Sequence, residues 1–430
     1  MRSTAPVFLL WLAFSSFANA QGDLAALLQT QPELSTLLDL ATLAGVNETL
    51  STSSNITIFA PTNEAFEALL QLEVPESEAV RNRNVTTVRA LLDNHVFRGY
   101  HPSSSIGDVP TFVQSFVTPD QRNDVQPFTS IQGGQYNGLV KNGNDVNVIS
   151  GELAVANVTM ADIPLGEGIT IHVIDQTLNF GPPLELFLAR AEERGLNGAL
   201  TTAQSAGGLN FTLGIDGSNS GVSPLSDITV FIPIDEAFEN IASVLETADL
   251  PTLVDVIEYH FLNNNIVFSP SLSNTSVPPF QGADLTVSVL KDGSIFVNDA
   301  KVIFPNVILS NGVAHIIDSV LNPLNTTFSR EDIDADSPAS ERVQFASATS
   351  ASTLPFTTFT FTFAEAESYT TPAILSTYPA VSLPTTFANA TATTTPSATI
   401  VPYTGGAADL MRPCATAMAA MAGGFVVGML

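Results

Sequence analysis

The chain carries the same block twice. Ile56-Thr57-Ile58-Phe59-Ala60-Pro61-Thr62-Asn63-Glu64-Ala65-Phe66 returns as Ile228-Thr229-Val230-Phe231-Ile232-Pro233-Ile234-Asp235-Glu236-Ala237-Phe238. A second block, Gly168-Ile169-Thr170-Ile171-His172-Val173-Ile174-Asp175, returns as Gly312-Val313-Ala314-His315-Ile316-Ile317-Asp318. That pairing sets His172 against His315 and Asp175 against Asp318, and between the blocks His95 matches His260. The order is kept, so the chain must accommodate one folding unit in tandem. Each unit has about 150 residues, enough to bury a core of its own.

Both copies share one grammar. An apolar stretch at helical spacing opens each: Leu24, Leu27, Leu28, then Leu34, Leu37, Leu38 and Ala41 in the first, and Leu184, Phe187, Leu188 and Ala191 in the second. A short β-rich run follows and stops at Pro61 or Pro233. Asn63 or Asp235 is then placed to cap a helix that buries Phe66, Leu69 and Leu70, or Phe238, Ile241 and Leu245. Short alternating strands complete each copy, with Asn142-Gly143 and Asp292-Gly293 as hairpin turns. Helices first and strands last imply an α+β fold.

The ends follow different rules. Residues 1–20 have the layout of a secretory signal: Arg2 at the start, an apolar run from Ala5 to Phe14, and Ala18-Asn19-Ala20 before Gln21. At the other end, small residues Gly405-Gly406-Ala407-Ala408, a short spacer and an apolar run from Ala415 to Leu430 have the layout of a glycosylphosphatidylinositol attachment signal. Gly405 or Gly406 is the expected attachment residue. The single cysteine, Cys414, falls in the segment removed, so no disulfide framework is expected. From 327 to 404 the sequence is crowded with Ser, Thr, Ala and Pro, as an O-glycosylated stalk would be. The expected organisation is signal 1–20, domain one 21–180, domain two 181–326, stalk 327–404 and attachment signal 405–430.

Charge narrows the partners. With 14 basic and 42 acidic residues the formal charge is −28, which argues against nucleic acid or anionic lipid as a ligand. Only 13% of residues are charged, so Ser, Thr and Asn must supply much of the polar surface. Asn-x-Ser/Thr acceptors stand at Asn47, Asn55, Asn84, Asn157, Asn210, Asn274, Asn325 and Asn389. That density, behind a secretory signal, predicts N-glycosylation of some of them.

The repeated blocks resemble the fasciclin (FAS1) family. Ile56–Phe66 and Ile228–Phe238 look like its first signature, and Ile169–Asp175 and Val313–Asp318 like its second. Tyr259-His260 looks like the tyrosine–histidine motif between them; in copy one the pair is Asn94-His95, without the tyrosine. The resemblance covers residues 21 to about 326. It implies two compact β-wedges of two short sheets with flanking helices, and a role in adhesion to cells, matrix or wall through an extracellular protein or glycan. Members that bind adhesion receptors use an Asp-Ile pair before the second signature. Asp162-Ile163 matches it here, whereas copy two has Asn306-Val307. The residues themselves suggest a plainer alternative, with Ile163 in the core and Asp162 in a turn.

Enzymatic chemistry finds little footing. His172 and Asp175, like His315 and Asp318, are three residues apart, which on a strand points them to opposite faces. His95 and His172 could approach one another, as could His260 and His315, but two imidazoles are thin for zinc. Buried, neutral, structural roles are expected for His95 and His260, and Asp175 and Asp318 are expected to accept backbone amides. No nucleophile elbow, phosphate loop or HExxH occurs. No catalytic residue, cofactor or metal centre is expected. Surface adhesion leads; a polysaccharide-active enzyme and a passive glycosylated coat are the alternatives.

Overall fold

Ile56–Pro61 (β1) is buried at every position, as a run without polar alternation should be if both faces are covered. The computed structural model describes residues 24–351 apart from 47–49, 51–52, 73, 122–126, 152–153, 167, 185–186, 189–225 and 326–327. The signal at 1–20, Asn47, Asn210, Asn389, Gly405 and Gly406 therefore lie outside the described residues.

In the first copy the helices α1 (Leu24–Gln29) and α2 (Ser35–Ala44) lie ahead of β1. Three more follow it: α3 (Asn63–Leu69), α4 (Pro75–Asn82) and α5 (Val85–Asn94). The chain then makes β2 (Val96–Arg98), β3 (Thr111–Gln114), β4 (Tyr136–Asn142), β5 (Asp145–Ile149), β6 (Val155–Pro164) and β7 (Ile169–Ile174). The strands lie in the order β2-β1-β7-β6-β5-β4-β3. β1 and β7 run parallel, with Ile56 opposite Ile169 and Pro61 opposite Ile174. Pro61 ends the ladder, where its missing N–H costs least.

The second copy repeats this plan. β8 (Ile228–Pro233) is followed by α6 (Asp235–Glu239), α7 (Ala242–Thr247) and α8 (Leu250–Glu258), then by β9 (Phe261–Leu262), β10 (Thr275–Val277), β11 (Leu285–Val289), β12 (Ile295–Val297), β13 (Ala300–Leu309) and β14 (Gly312–Ile317). Its order is β10-β11-β12-β13-β14-β8-β9, with β14 and β8 parallel. β6 and β13 are each ten residues long and each carries two register shifts. Those irregularities bend the strand and join what would be two short sheets into one. A bridge from Phe97 to Ser115 brings β2 back to the end of β3, so the sheet of copy one is barrel-like.

Each domain has two cores. In domain one Leu34, Leu37, Phe66 and Leu91 from the helices pack on Ile58 and Ile171, while Phe59, Phe97, Leu139 and Val148 fill the sheet interior. In domain two Phe238, Leu253 and Val256 pack on Val230 and Ala314, and Phe231, Leu285 and Val297 fill the interior. Phe59 and Phe231 thus occupy equivalent surroundings. The hairpin turns also fall where expected, with Gly143 at φ 64° between Asn142 and Asp145.

Two expectations are corrected. The caps lie one residue earlier: Thr62 accepts from Ala65 N, while Asn63 reaches across to Thr36 N at 2.9 Å and ties α3 to α2. In copy two Ile234 holds the cap position and offers no side-chain bond, and Asp235 is inside the helix. The second correction concerns residues 328–351, part of the expected stalk. They form a strap across domain two. Arg330 donates to Ser288 Oγ and Val287 O. Arg342 forms a buried ion pair with Asp318 at 2.5 Å. Val343, Phe345 and Ala348 pack on the helical core.

The domains are docked. Phe112 stacks on Phe268 with centroids 3.8 Å apart and planes at 5°. Val140 and Ile149 pack with Ile308 and Val313 around that pair. Ser310 O accepts from Ser130 N and Thr129 Oγ1, and Ser310 N donates to Pro182 O.

Candidate functional site

The repeated histidines sit on either side of the repeated phenylalanine. Phe59 N donates to His95 O on one flank. On the other, its ring stacks on His172 with centroids 5.3 Å apart. Phe231 stands in the same way between His260 and His315. The two imidazoles of each domain therefore flank one aromatic ring and serve separate sets of bonds.

His95 and His260 close helix ends. Nδ1 of each donates to the carbonyl one turn back, Leu91 O or Val256 O, at 2.7 Å. Nε2 accepts from Leu178 N at 2.9 Å or Leu321 N at 3.0 Å. His172 and His315 take the opposite tautomer: Nδ1 accepts from Asp162 N or Asn306 N, and Nε2 donates to His101 O or Val267 O. All four rings have both nitrogens satisfied while neutral. Burial holds His95, His260 and His315 down at about 4 and lowers His172 too.

Asp162 and Asn306 are the bulge residues of β6 and β13, with φ of 60° and 68°. Asp and Asn are the side chains that tolerate this left-handed region. Asp162 accepts from Ser103 N at 2.8 Å and from Ser103 Oγ. Asn306 accepts from Ser269 N and donates to Ser269 Oγ, each at 2.7 Å. Burial opposes the charge of Asp162, but the Ser103 bonds outweigh it and hold the carboxyl below its ordinary value. The pair in domain one is open, with Asp162 exposed and Ile163 half-buried, whereas Asn306 and Val307 are buried.

The repeated aspartates fasten the same strand. Asp175 accepts from Asn157 N and Nδ2, both at 2.7 Å. Asp318 accepts from Lys301 N at 2.8 Å and gives its other oxygen to Arg342. Tyr259 is buried, donating to Asp284 O and accepting from Asn298 Nδ2. Asn94, where copy one lacks the tyrosine, is buried and donates to Asn179 O at 3.1 Å.

Among the described residues no three of His, Cys, Asp and Glu converge as a metal site would require. Asp332, Asp334 and Asp336 alternate with the spacing of a calcium loop, a signal absent from the expectations above, but Asp334 is engaged by Asp336 N and Ser337 Oγ. An apolar cavity of about 60 Å³ in domain two is lined by Val230, Phe238, Leu253, Val256 and Phe345. Leu184 and Leu188 line it as well, next to the undescribed 189–225.

Comparison with known proteins accounts for the twofold pattern. A family model of the fasciclin domain matches residues 32–180 and again residues 196–323. The chain belongs to the fasciclin family. A fasciclin-like arabinogalactan protein of Arthroderma benhamiae is 28% identical over 298 residues, covering 69% of this chain and 65% of that protein. The match thus spans just under two thirds of the Arthroderma protein. A fasciclin-like arabinogalactan protein of Cercospora beticola is 27% identical over 72% of this chain and 78% of its own. Human periostin is 29% identical over 31% of this chain and 16% of its own. A solved FAS1 domain pair from the insect cell adhesion molecule fasciclin I aligns over 69% of this chain and 95% of that one, at 17% identity and a TM-score of 0.29. None of these relatives is named for an enzymatic activity.

Proposed function

We propose that this fasciclin pair works outside the cell as a surface glycoprotein mediating adhesion, cell to cell or cell to matrix or wall, through a protein or glycan ligand. The observation that carries the reading is the use of the repeated residues. In both copies the repeated His and Asp, and in domain two the buried bulge residue Asn306, are consumed in holding strands and helix ends together, which leaves the outer surfaces of a docked pair as the working part. The names of the fungal relatives agree with a glycoprotein. Among the described residues no helix is long and apolar enough to cross a membrane. The signal layout at 1–20 and the attachment layout at 405–430, with Gly405 or Gly406 as the lipid-bearing residue, supply entry and anchoring in this account. Two weak contacts on one rigid body would gain avidity together. Asp162-Ile163 is the contact candidate of domain one alone, because its counterpart in domain two is buried.

Displaying the full chain on non-adherent cells tests this. Aggregation or attachment to matrix should rise, and phosphatidylinositol-specific phospholipase should release the protein and abolish the gain. Cells that bind nothing across cell, matrix and wall preparations would refute the adhesive role.

A further inference from the structure

Four exposed sequon asparagines in the described residues fall into two classes by the direction in which the carboxamide is tied. At Asn55, Asn84 and Asn274 the oxygen faces inward and accepts a backbone N–H: Tyr100 N at 3.1 Å, Thr87 N at 3.2 Å and Val289 N at 2.7 Å. All three residues are exposed, and Nδ2 has no partner among the described residues. A sugar on Nδ2 leaves the carbonyl oxygen free to keep accepting, so each bond survives modification. Thr86 and Ser276, which complete two of these sequons, are exposed and serve no side-chain bond among the described residues.

Asn157 is exposed as well, but its nitrogen is occupied. Nδ2 donates to Asp175 Oδ2 at 2.7 Å while the backbone N–H of Asn157 donates to Asp175 Oδ1, so one residue grips both carboxylate oxygens. Its Oδ1 is taken by Asn147 Nδ2 at 2.6 Å from the neighbouring strand. Domain two places Lys301 at the equivalent position and completes the same grip on Asp318 with Arg342. Asn157 is therefore the domain-one counterpart of that pair. Sugar is attached to the nascent chain, so a glycan here would have to be folded in against a carboxylate, and chains carrying it would be depleted from the secreted population.

We infer that N-glycans occupy Asn55, Asn84 and Asn274, and that Asn157, although its sequon is intact, stays bare as a structural ligand of Asp175. The inference rests on the extracellular reading above. The test is site-by-site occupancy of the full chain secreted from a eukaryotic host, read by mass spectrometry after enzymatic deglycosylation in ¹⁸O water. It is run with the native leader and, in parallel, with a heterologous secretory leader. High occupancy at 55, 84 and 274 with none at 157 is expected. N55D, N84D and N274D, which keep the accepting oxygen, should each remove one glycan and leave the occupancy of the other sites unchanged. Occupancy of Asn157 equal to the others, or a bare site among the three, overturns the inference. No glycan behind the native leader, with the expected pattern behind the heterologous one, would contradict the extracellular reading and leave the site assignment standing.

Discussion

His260 donates from Nδ1 and accepts on Nε2, which leaves no place for a second proton. His95 and His315 are likewise full when neutral. Each ring titrates near 6.5 in the unfolded chain and at about 4 when folded. Between those values the unfolded chain binds more protons, so folding is weakened there. Stability is complete above about pH 6.5 and falls as pH drops, by on the order of 3 kcal/mol per ring at pH 4. Urea midpoints measured from pH 8 to 4 should be flat above 6.5 and then decline. At the bulge, Asn306 is 4% exposed and makes two bonds to Ser269, whereas Asp162 is exposed. Asn306→Ala should cost about 2–4 kcal/mol and Asp162→Ala about 1–2, by denaturant unfolding. Equal costs would mean that burial does not set the worth of these bonds.

At the scale of elements, the strap over domain two is the least expected feature. Arg342 and Asp318 are 7% and 9% exposed in their side chains. Removing one partner of such a pair strands the other, at about 3–5 kcal/mol. Arg342→Ala should therefore lower hydrogen-exchange protection across domain two and spare domain one, where Asn157 serves Asp175. Loss of protection in both domains, or in neither, would contradict the assignment. The strap is illegible in the sequence for a physical reason. Val343 and Phe345 are lone apolar residues in a Ser/Ala-rich stretch without a period, and the charge that fixes Arg342 lies in the preceding domain. β1 and β8 are legible because a fully buried parallel strand needs an unbroken apolar run, and the hairpins because Asn-Gly and Asp-Gly favour the turn. The cap position is not legible, since Thr62 and Asn63 are both capable and only the packing of α3 on α2 takes Asn63 away. The histidines' locations follow from the duplication, but their tautomers depend on carbonyls and amides that no local pattern reveals.

At the scale of the molecule, the two domains form one body through Phe112, Phe268 and the chain around Ser310. Gly181 lies at the join, where a β-carbon would meet Leu309 C at 2.5 Å and Leu309 O at 2.8 Å. Main chain cannot swing aside as a side chain can, so Gly181→Ala should force the domains apart. Small-angle scattering should show a larger maximum dimension while each domain stays folded; an unchanged profile would mean that the contact is slack. A docked pair whose repeated histidines are bonded at both ring nitrogens is a scaffold, and those histidines should matter to attachment only through folding. The most direct measurement follows folded fraction and cell attachment together on the displayed full chain from pH 8 to 4. Attachment should hold constant and then fall in step with the folded fraction. Loss of attachment around a histidine pKa while the protein remains fully folded would contradict the account and make those rings part of the working surface.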